Sequence, residues 1–151
     1  ELLAQLELLL HPADRRRRGE QLALLFCDLD RFKEINDNLG HAAGDLVLRT
    51  VAERIRGAIR SDDLAGRTGG DEMVVVLRAV ADLDAAVAIA ETIAAAIRRP
   101  IISADVHVVI TASIGITLAR PAEAVDALMA RADMAMYEAK QAGRDRVIRI
   151  D

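Results

Sequence analysis

The chain has 151 residues, 52% of them hydrophobic but only 2% aromatic and none Trp, so a single domain with a core of Ala, Val, Ile and Leu is expected. The formal net charge of -4 argues against a general nucleic-acid binder, whose footprint is normally basic. No apolar run approaches the roughly 18 residues that span a bilayer, no signal peptide is apparent, and the lone Cys27 cannot form an internal disulfide, which fits the cytoplasm.

In chain order, residues 1–10 (ELLAQLELLL) read as a helix and DRRRRGEQ as a charged loop whose Arg15 to Arg18 form a solvated run. LALLFCDL has the length and continuous apolarity of a buried strand, with Cys27 in the core. The segment through NDNLGHAAG reads as a loop. Residues 45–60 then place Val47, Leu48, Val51, Ile55, Ala58 and Ile59 at helical spacing. TGGD is a hairpin signal and MVVVL the strand that leaves it. Residues 82–98 form an Ala-rich helix ended by Pro100. VHVVITASIGITL, residues 106–118, gives one or two strands, with a break near Gly115 or a preceding turn at SAD. A last helix runs from about Glu123 to Gln141 between Pro121 and Gly143, and RVIRI is a final strand. The order βαββαββαβ predicts an α/β or α+β sheet with helices packed on it, and no repeat or low-complexity linker divides it. His41 and His107 read as structural or exposed.

The carboxylates carry the chemistry. Asp28 and Asp30 end the first strand, where loops face a ligand, and Asp71 and Glu72 sit at the hairpin. If the two strands are neighbours, Asp28 and Asp71 converge. Facing carboxylates repel unless a proton or a hard cation lies between them, and Mg²⁺ with oxygen ligands is the natural solution. Such an ion keeps positions for water and phosphate, so the site points to a nucleotide. Gly69 and Gly70, without side chains, let the main chain approach a phosphate or sugar. Lys140 and Arg144, four apart at a helix end, offer cations on one face.

CDLDRFKEINDNLGHAAGDLVL, RTGGDEMVVVL, TASIGIT and RADMAMYEAKQAGRDR, in this order, resemble the GGDEF family of diguanylate cyclases, which condense two GTP into cyclic di-GMP. The resemblance implies an α+β sandwich: a central, mostly antiparallel five-stranded sheet flanked by helices, akin to nucleotide cyclases and the palm of polymerases. It implies that Asp28, the carbonyl of Leu29 and Asp71 bind Mg²⁺ or Mn²⁺, with Glu72 a further acid for metal or proton work. Asn36 and Asp45 would read the guanine edge; Lys33, Lys140 and Arg144 would hold the β and γ phosphates; Gly69 and Gly70 would lie beside the sugar and α phosphate. Each subunit holds one GTP, so catalysis requires a homodimer. Arg60 and Asp63 of RSDD match the family's inhibitory product site, RxxD, where cyclic di-GMP binds.

Every assignment has a plainer rival: a strand-ending turn for Asp28 and Asp30, a loop cap for Asn36, a helix N-terminus for Asp45, a helix C-terminus for Lys140, Arg144 and Arg60. The sequence departs from the family pattern in two respects. Met73 stands where an aromatic is usual, which implies a small packing change. The LTGLxNR segment that opens the family pattern is missing from these residues, which implies weaker order and turnover. An attached sensory or phosphodiesterase domain is expected in the full-length protein, and the domain itself makes no membrane or nucleic-acid contact. The alternative function is a weakly catalytic domain that binds GTP or cyclic di-GMP and regulates a partner.

Overall fold

The structure, a computed structural model, describes residues 2–11 and 20–151; the Arg15 to Arg18 run lies outside them. Twelve elements follow one another: α1 (Leu2–Leu10), β1 (Ala23–Leu29), α2 (Phe32–Leu39), α3 (His41–Ala58), β2 (Leu64–Gly69), β3 (Glu72–Leu77), α4 (Leu83–Arg98), β4 (Ile101–Ile102), β5 (His107–Val108), β6 (Ala112–Leu118), α5 (Val125–Gln141) and β7 (Arg146–Ile150). Five strands form one sheet in the order β2-β3-β1-β6-β7, and β4 and β5 form a separate two-stranded ribbon. Within the main sheet β2–β3, β3–β1 and β1–β6 are antiparallel and only β6–β7 is parallel. This is the expected mostly antiparallel, five-stranded α+β architecture.

Strand alternation divides the core. On one face of the sheet Ala23, Leu25, Cys27, Met73, Val75, Leu77, Ile114 and Ile116 pack with Val47, Val51 and Ile55 of α3 and Ala90, Ile93 and Ile97 of α4. On the other, Leu24, Phe26, Val74 and Val76 meet Leu128, Ala132 and Met136 of α5 and Leu10 of α1. Each such aliphatic side chain, fully buried, contributes roughly 1.5–3 kcal/mol.

Two sequence expectations need correction. Residues 36–44 are not a loop: α2 and α3 are separated by Gly40 alone, at φ 91. Asn36, Asp37 and Asn38 favour turns, but Phe32, Ile35 and Leu39 recur at helical spacing and Phe32 is buried, so packing overrides local preference. Nor does Gly115 break a strand. It lies in the middle of β6, and a Cβ there would meet Met136 N at 2.1 Å and Ala132 O at 2.5 Å, so it is the place where α5 lies directly on the sheet. The break falls earlier, between β5 and β6, and residues 103–105 of SAD separate β4 from β5.

Polar anchors hold the helices at their ends. The Asp82 carboxylate accepts from Ala85 N at 2.8 Å and starts α4. Arg54 of α3 donates to the carbonyls of Ala96 (3.2 Å), Ile97 (3.3 Å), Arg99 (2.5 Å) and Pro100 (2.9 Å), satisfying the C-terminus that Pro100 ends. Arg131 of α5 is paired with Glu123 and donates to Thr117 Oγ1 at 2.8 Å and Leu118 O at 2.7 Å, which fixes the start of α5 to the end of β6. The Arg131 hydrogen bond holds the Glu123 carboxyl below its usual range against the effect of burial.

Candidate active site

The alternation that sends Cys27 and Leu29 into the α3–α4 layer sends Asp28 to the α5 side, where it is 7% exposed. Asp28 faces Glu72 in the β1–β3 register. Like charges directly opposite one another destabilise a sheet, so the arrangement calls for a compensating cation. Asp71 follows in the hairpin turn, and its carbonyl accepts from Leu29 N at 3.2 Å, drawing the turn against the end of β1. From the last turn of α5, Lys140 forms an ion pair with Asp28 Oδ2. The other oxygen, Oδ1, is buried and has no hydrogen-bond partner among the described residues.

Burial pushes the Asp28 carboxyl up to about 6; the Lys140 hydrogen bond opposes the rise and the nearby Asp71 carboxylate adds to it. Burial draws Lys140 down, but its hydrogen bond to Asp28 and the charges of Asp28, Asp71 and Glu72 outweigh that, and the net direction is up. Behind the strand, burial and then the charges of Asp28 and Asp30 push the Cys27 thiol up to about 12, so it stays protonated in the core.

A divalent cation fits this corner. No group of three or more His, Cys, Asp and Glu side chains converges among the described residues, but Mg²⁺ takes one or two carboxylates and fills its remaining positions with water and phosphate. The orphaned Oδ1 of Asp28 is a hard oxygen ligand already stripped of water, Asp71 raises the local negative charge, and the Leu29 carbonyl lies on the strand between them. A lysine ammonium on the companion oxygen shows that the site accepts positive charge.

The glycine tip is open. At Gly69 and Gly70 no atom lies within 4 Å of where a Cβ would be, and Gly70, at φ 46, makes the left-handed turn. A bulge between Arg67 and Gly69 distorts the strand, and Arg67 Nε donates to Gly70 O at 2.7 Å, bracing the tip from behind.

Asn36 lies on the side of α2 that meets α3, the helix that carries Asp45. The carbonyl of Asn36 accepts from Gly40 N at 2.9 Å, closing α2, while its side chain lies so close to α3 that a Cβ on Gly44 would stand 1.9 Å from Asn36 Oδ1. Gly44 immediately precedes Asp45, whose side chain is exposed. Gly44 is a close-packing position that sequence reasoning missed; its signal is a glycine inside an otherwise helical run. Lys33 is exposed in the first turn of α2.

Two assignments look different in three dimensions. Arg144 does not share a helical face with Lys140: α5 ends at Gln141, Arg144 has φ 64, and it lines a cavity with Arg31, Glu34 and Asp30 instead. At RxxD, Asp63 is 8% exposed with both oxygens occupied, Oδ2 accepting from Arg60 N at 2.9 Å and Oδ1 from Arg78 N at 2.8 Å. The Arg60 side chain, 59% exposed, reaches back to the same elements: its Nε lies 4.0 Å from Asp63 Oδ2 and its guanidinium donates to Arg78 O at 2.5 Å.

Asp30 has a role that sequence reasoning missed. At 9% exposure its Oδ1 accepts from Ser113 Oγ (2.7 Å) and its Oδ2 from Thr111 Oγ1 (2.6 Å) and Asp145 N (3.0 Å). One carboxylate thus fastens the end of β1 to the start of β6 and to the turn after α5, and so sets the position of Lys140. The hydroxyls of TASIGIT, two residues apart on β6 and its approach, are the only trace of this in the sequence.

Residues 2–146 match the family described as "Diguanylate cyclase, GGDEF domain", and the chain belongs to the GGDEF domain family. It is 50% identical over 133 residues to diguanylate cyclase TpbB of Pseudomonas aeruginosa, a match that covers 87% of this chain and 31% of that protein. The chain therefore spans about a third of the length of that relative. The crystal structure of the GGDEF domain of TpbB superposes with a TM-score of 0.89 at 45% identity, covering 98% of this chain and 94% of that one. The GGDEF domain of DgcB from Caulobacter crescentus, solved in complex with c-di-GMP, superposes at 0.87 with 30% identity over 97% of this chain and 86% of that one. No helix among the described residues is long and apolar enough to cross a membrane.

Proposed function

We propose that this domain is a diguanylate cyclase that condenses two GTP molecules into cyclic di-GMP and pyrophosphate across a homodimer, in the cytoplasm, where GTP is supplied. The observation that carries the reading is the half-satisfied Asp28: one buried oxygen without a partner, the other on Lys140, beside Asp71 and Glu72 and at the root of the open Gly69–Gly70 tip. When bound there through Asp28, Asp71 and the Leu29 carbonyl, Mg²⁺ or Mn²⁺ supplies Lewis-acid chemistry, lowering the pKa of a hydroxyl and offsetting phosphate charge.

The chain's own residues do the rest. Asn36 and Asp45 bind guanine, the carboxylate accepting from ring and exocyclic N–H groups and the amide donating to the carbonyl oxygen; adenine would leave these groups mispaired. Lys140 and Lys33 hold the β and γ phosphates, and Arg144 joins them only by swinging out of its cavity. Gly69 and Gly70 admit the sugar and α phosphate against the backbone. The 3′ oxygen of one GTP forms a bond to the α phosphorus of the other, the bond to pyrophosphate breaks, and Glu72 takes the hydroxyl proton. A second, identical displacement closes the ring. A two-fold dimer presents each GTP to the other in turn. Product inhibition acts through Arg60, whose guanidinium pairs with a guanine edge or phosphate.

The test is incubation with GTP and Mg²⁺ over a range of protein concentrations, with nucleotides resolved by chromatography. Cyclic di-GMP rising more steeply than linearly with protein is expected. Tight GTP binding with no product would instead make the domain a regulatory binding module. Arg60→Ala is the informative change at RxxD, because replacing Asp63 would also break its backbone contacts; it should relieve late-stage inhibition and leave the initial rate unchanged.

A further inference from the structure

A pocket of about 200 Å³ lies between α3 and the β2–β3 hairpin, floored by Leu48, Ala52 and Ile55 of the helix and by Met73 and Ala65 of the sheet. Met73 stands where the family pattern has an aromatic, and the space that a ring would take is open. The volume is below the roughly 300–1,000 Å³ of most small-molecule sites, so the pocket has room for one ring or branched chain and not for a nucleotide.

The rim is cationic throughout. Arg49, Arg56 and Arg67 all line the pocket, and no carboxylate does. Arg49 and Arg56 are seven apart on α3, two turns or about 10.5 Å, and flank the pocket along one side of the helix. Arg49 has a carboxylate four residues to either side, Asp45 and Glu53, and pairs with neither. Among the described residues Arg56 has no hydrogen bond or ion pair either. Arg67 closes the pocket from β2, where it stands opposite Met73 in the register and so shares the face that meets α3. It spends only Nε, on Gly70 O at 2.7 Å, which leaves its two terminal nitrogens as a parallel pair of donors. Three like charges round an apolar floor, with no acid among them, complement an anion that carries an apolar body. A parallel pair of N–H donors matches the two oxygens of a carboxylate.

This pocket is separate from the sites described above. Asp28 faces the α5 side of the sheet, whereas the pocket opens on the α3 side. Arg60 and Asp63 do not line it: Asp63 is four residues, about 13 Å of extended chain, before Arg67, and its oxygens are taken by Arg60 N and Arg78 N.

We propose that this pocket binds a small amphipathic carboxylate, with a ring or branched chain of about phenyl size against Met73 and the carboxylate on Arg67, Arg49 and Arg56. Because Arg67 also braces Gly70, an occupied pocket bears on the glycine tip. The use of that tip rests on the cyclase reading; the binding does not.

The test is NMR titration of the whole isotope-labelled chain with phenylpropionate, without metal or nucleotide. Saturable amide shifts are expected over residues 48–56 and 65–67 and at Gly70. Met73→Phe fills the pocket from inside and should abolish them, while its melting curve stays close to wild type. Arg67→Gln, an exposed change that leaves the core intact, should weaken binding about tenfold, the loss of one charge-assisted pair. Phenylpropanol, which has the body without the charge, and inorganic phosphate, which has charge without the body, should each bind at least about tenfold more weakly. No saturable shift, binding untouched by Met73→Phe or by Arg67→Gln, or equal binding of the alcohol or of phosphate would overturn the proposal. An unmoved Gly70 amide would overturn its link to the tip. None of these readouts involves turnover, so failure here is distinguishable from failure of the cyclase reading.

Discussion

Asp28 and Asp30 stand two residues apart at the end of β1, buried almost equally at 7% and 9% exposure, and their surroundings are opposite. Around Asp30 every lone pair that matters is used: two hydroxyls and a backbone amide converge on it. Around Asp28 one oxygen is orphaned, the other leans on a lysine, and two further carboxylates crowd in. Burying a carboxylate is costly unless it is paired and hydrogen-bonded, so the first region is built for stability and the second forgoes stability for a ligand. Burial alone does not mark a functional acid; unsatisfied burial does.

The sharpest way to break this contrast is Asp28→Asn. Cyclic di-GMP formation should fall by more than about a hundredfold, since even the loss of an outer-shell partner of a metal costs 10–100-fold. Metal-free stability should rise by about 2 kcal/mol, because a carboxyl raised by roughly two pKa units opposes folding when ionised. The sign is specific. A carboxyl raised to about 6 destabilises only above its unfolded value, so wild type and variant should melt together near pH 4 and separate as the pH climbs through about 6. Melting curves across that range decide it, and a wild type that melts higher at neutral pH would contradict the argument.

Asp30→Ala should do the reverse. Three donors lose a common acceptor, and about 3 kcal/mol of stability should go with them. Turnover should drop with it, through displacement of Lys140. Denaturant titration and product analysis measure the two effects separately.

Gly44→Ala moves the contrast to the pair proposed to read guanine, Asn36 and Asp45. The new methyl displaces the flexible Asn36 amide, and helix propensity gains up to about 1 kcal/mol, so the melting temperature should hold while KM for GTP rises about tenfold. The smallest effect belongs to Met73→Phe. Met73 is 4% exposed and lines a pocket of about 200 Å³ with Leu48 and Arg67, into which a phenyl ring fits, so a change below about 1 kcal/mol is expected by thermal melt.

What the sequence made legible was whatever local pattern encodes. The GG turn, the Ala-rich helix before Pro100 and the acid pair at the strand end are short-range statements, and they were read correctly. The pin at Asp30 was not, because its partners are 81, 83 and 115 residues away and Ser and Thr hydroxyls carry no spacing signal. The helical end of α2 from Asn36 is hidden in the sequence because its Asn and Asp residues favour a turn, and the apolar stripe that overrides them gains its value only once α3 packs on it. The spacing of Lys140 and Arg144 suggests one helical face, but the helix stops three residues before Arg144.

The bare backbone at Gly115 has a consequence of its own. With no side chain between them, α5 rests on β6 atom against atom, and the helix has neither cushion nor play along its length. The reach of the lysine at its far end is therefore gauged not by anything beside Asp28 but by an absent methyl one strand in from the sheet's edge. In this fold the ruler for the chemistry is the residue that has none.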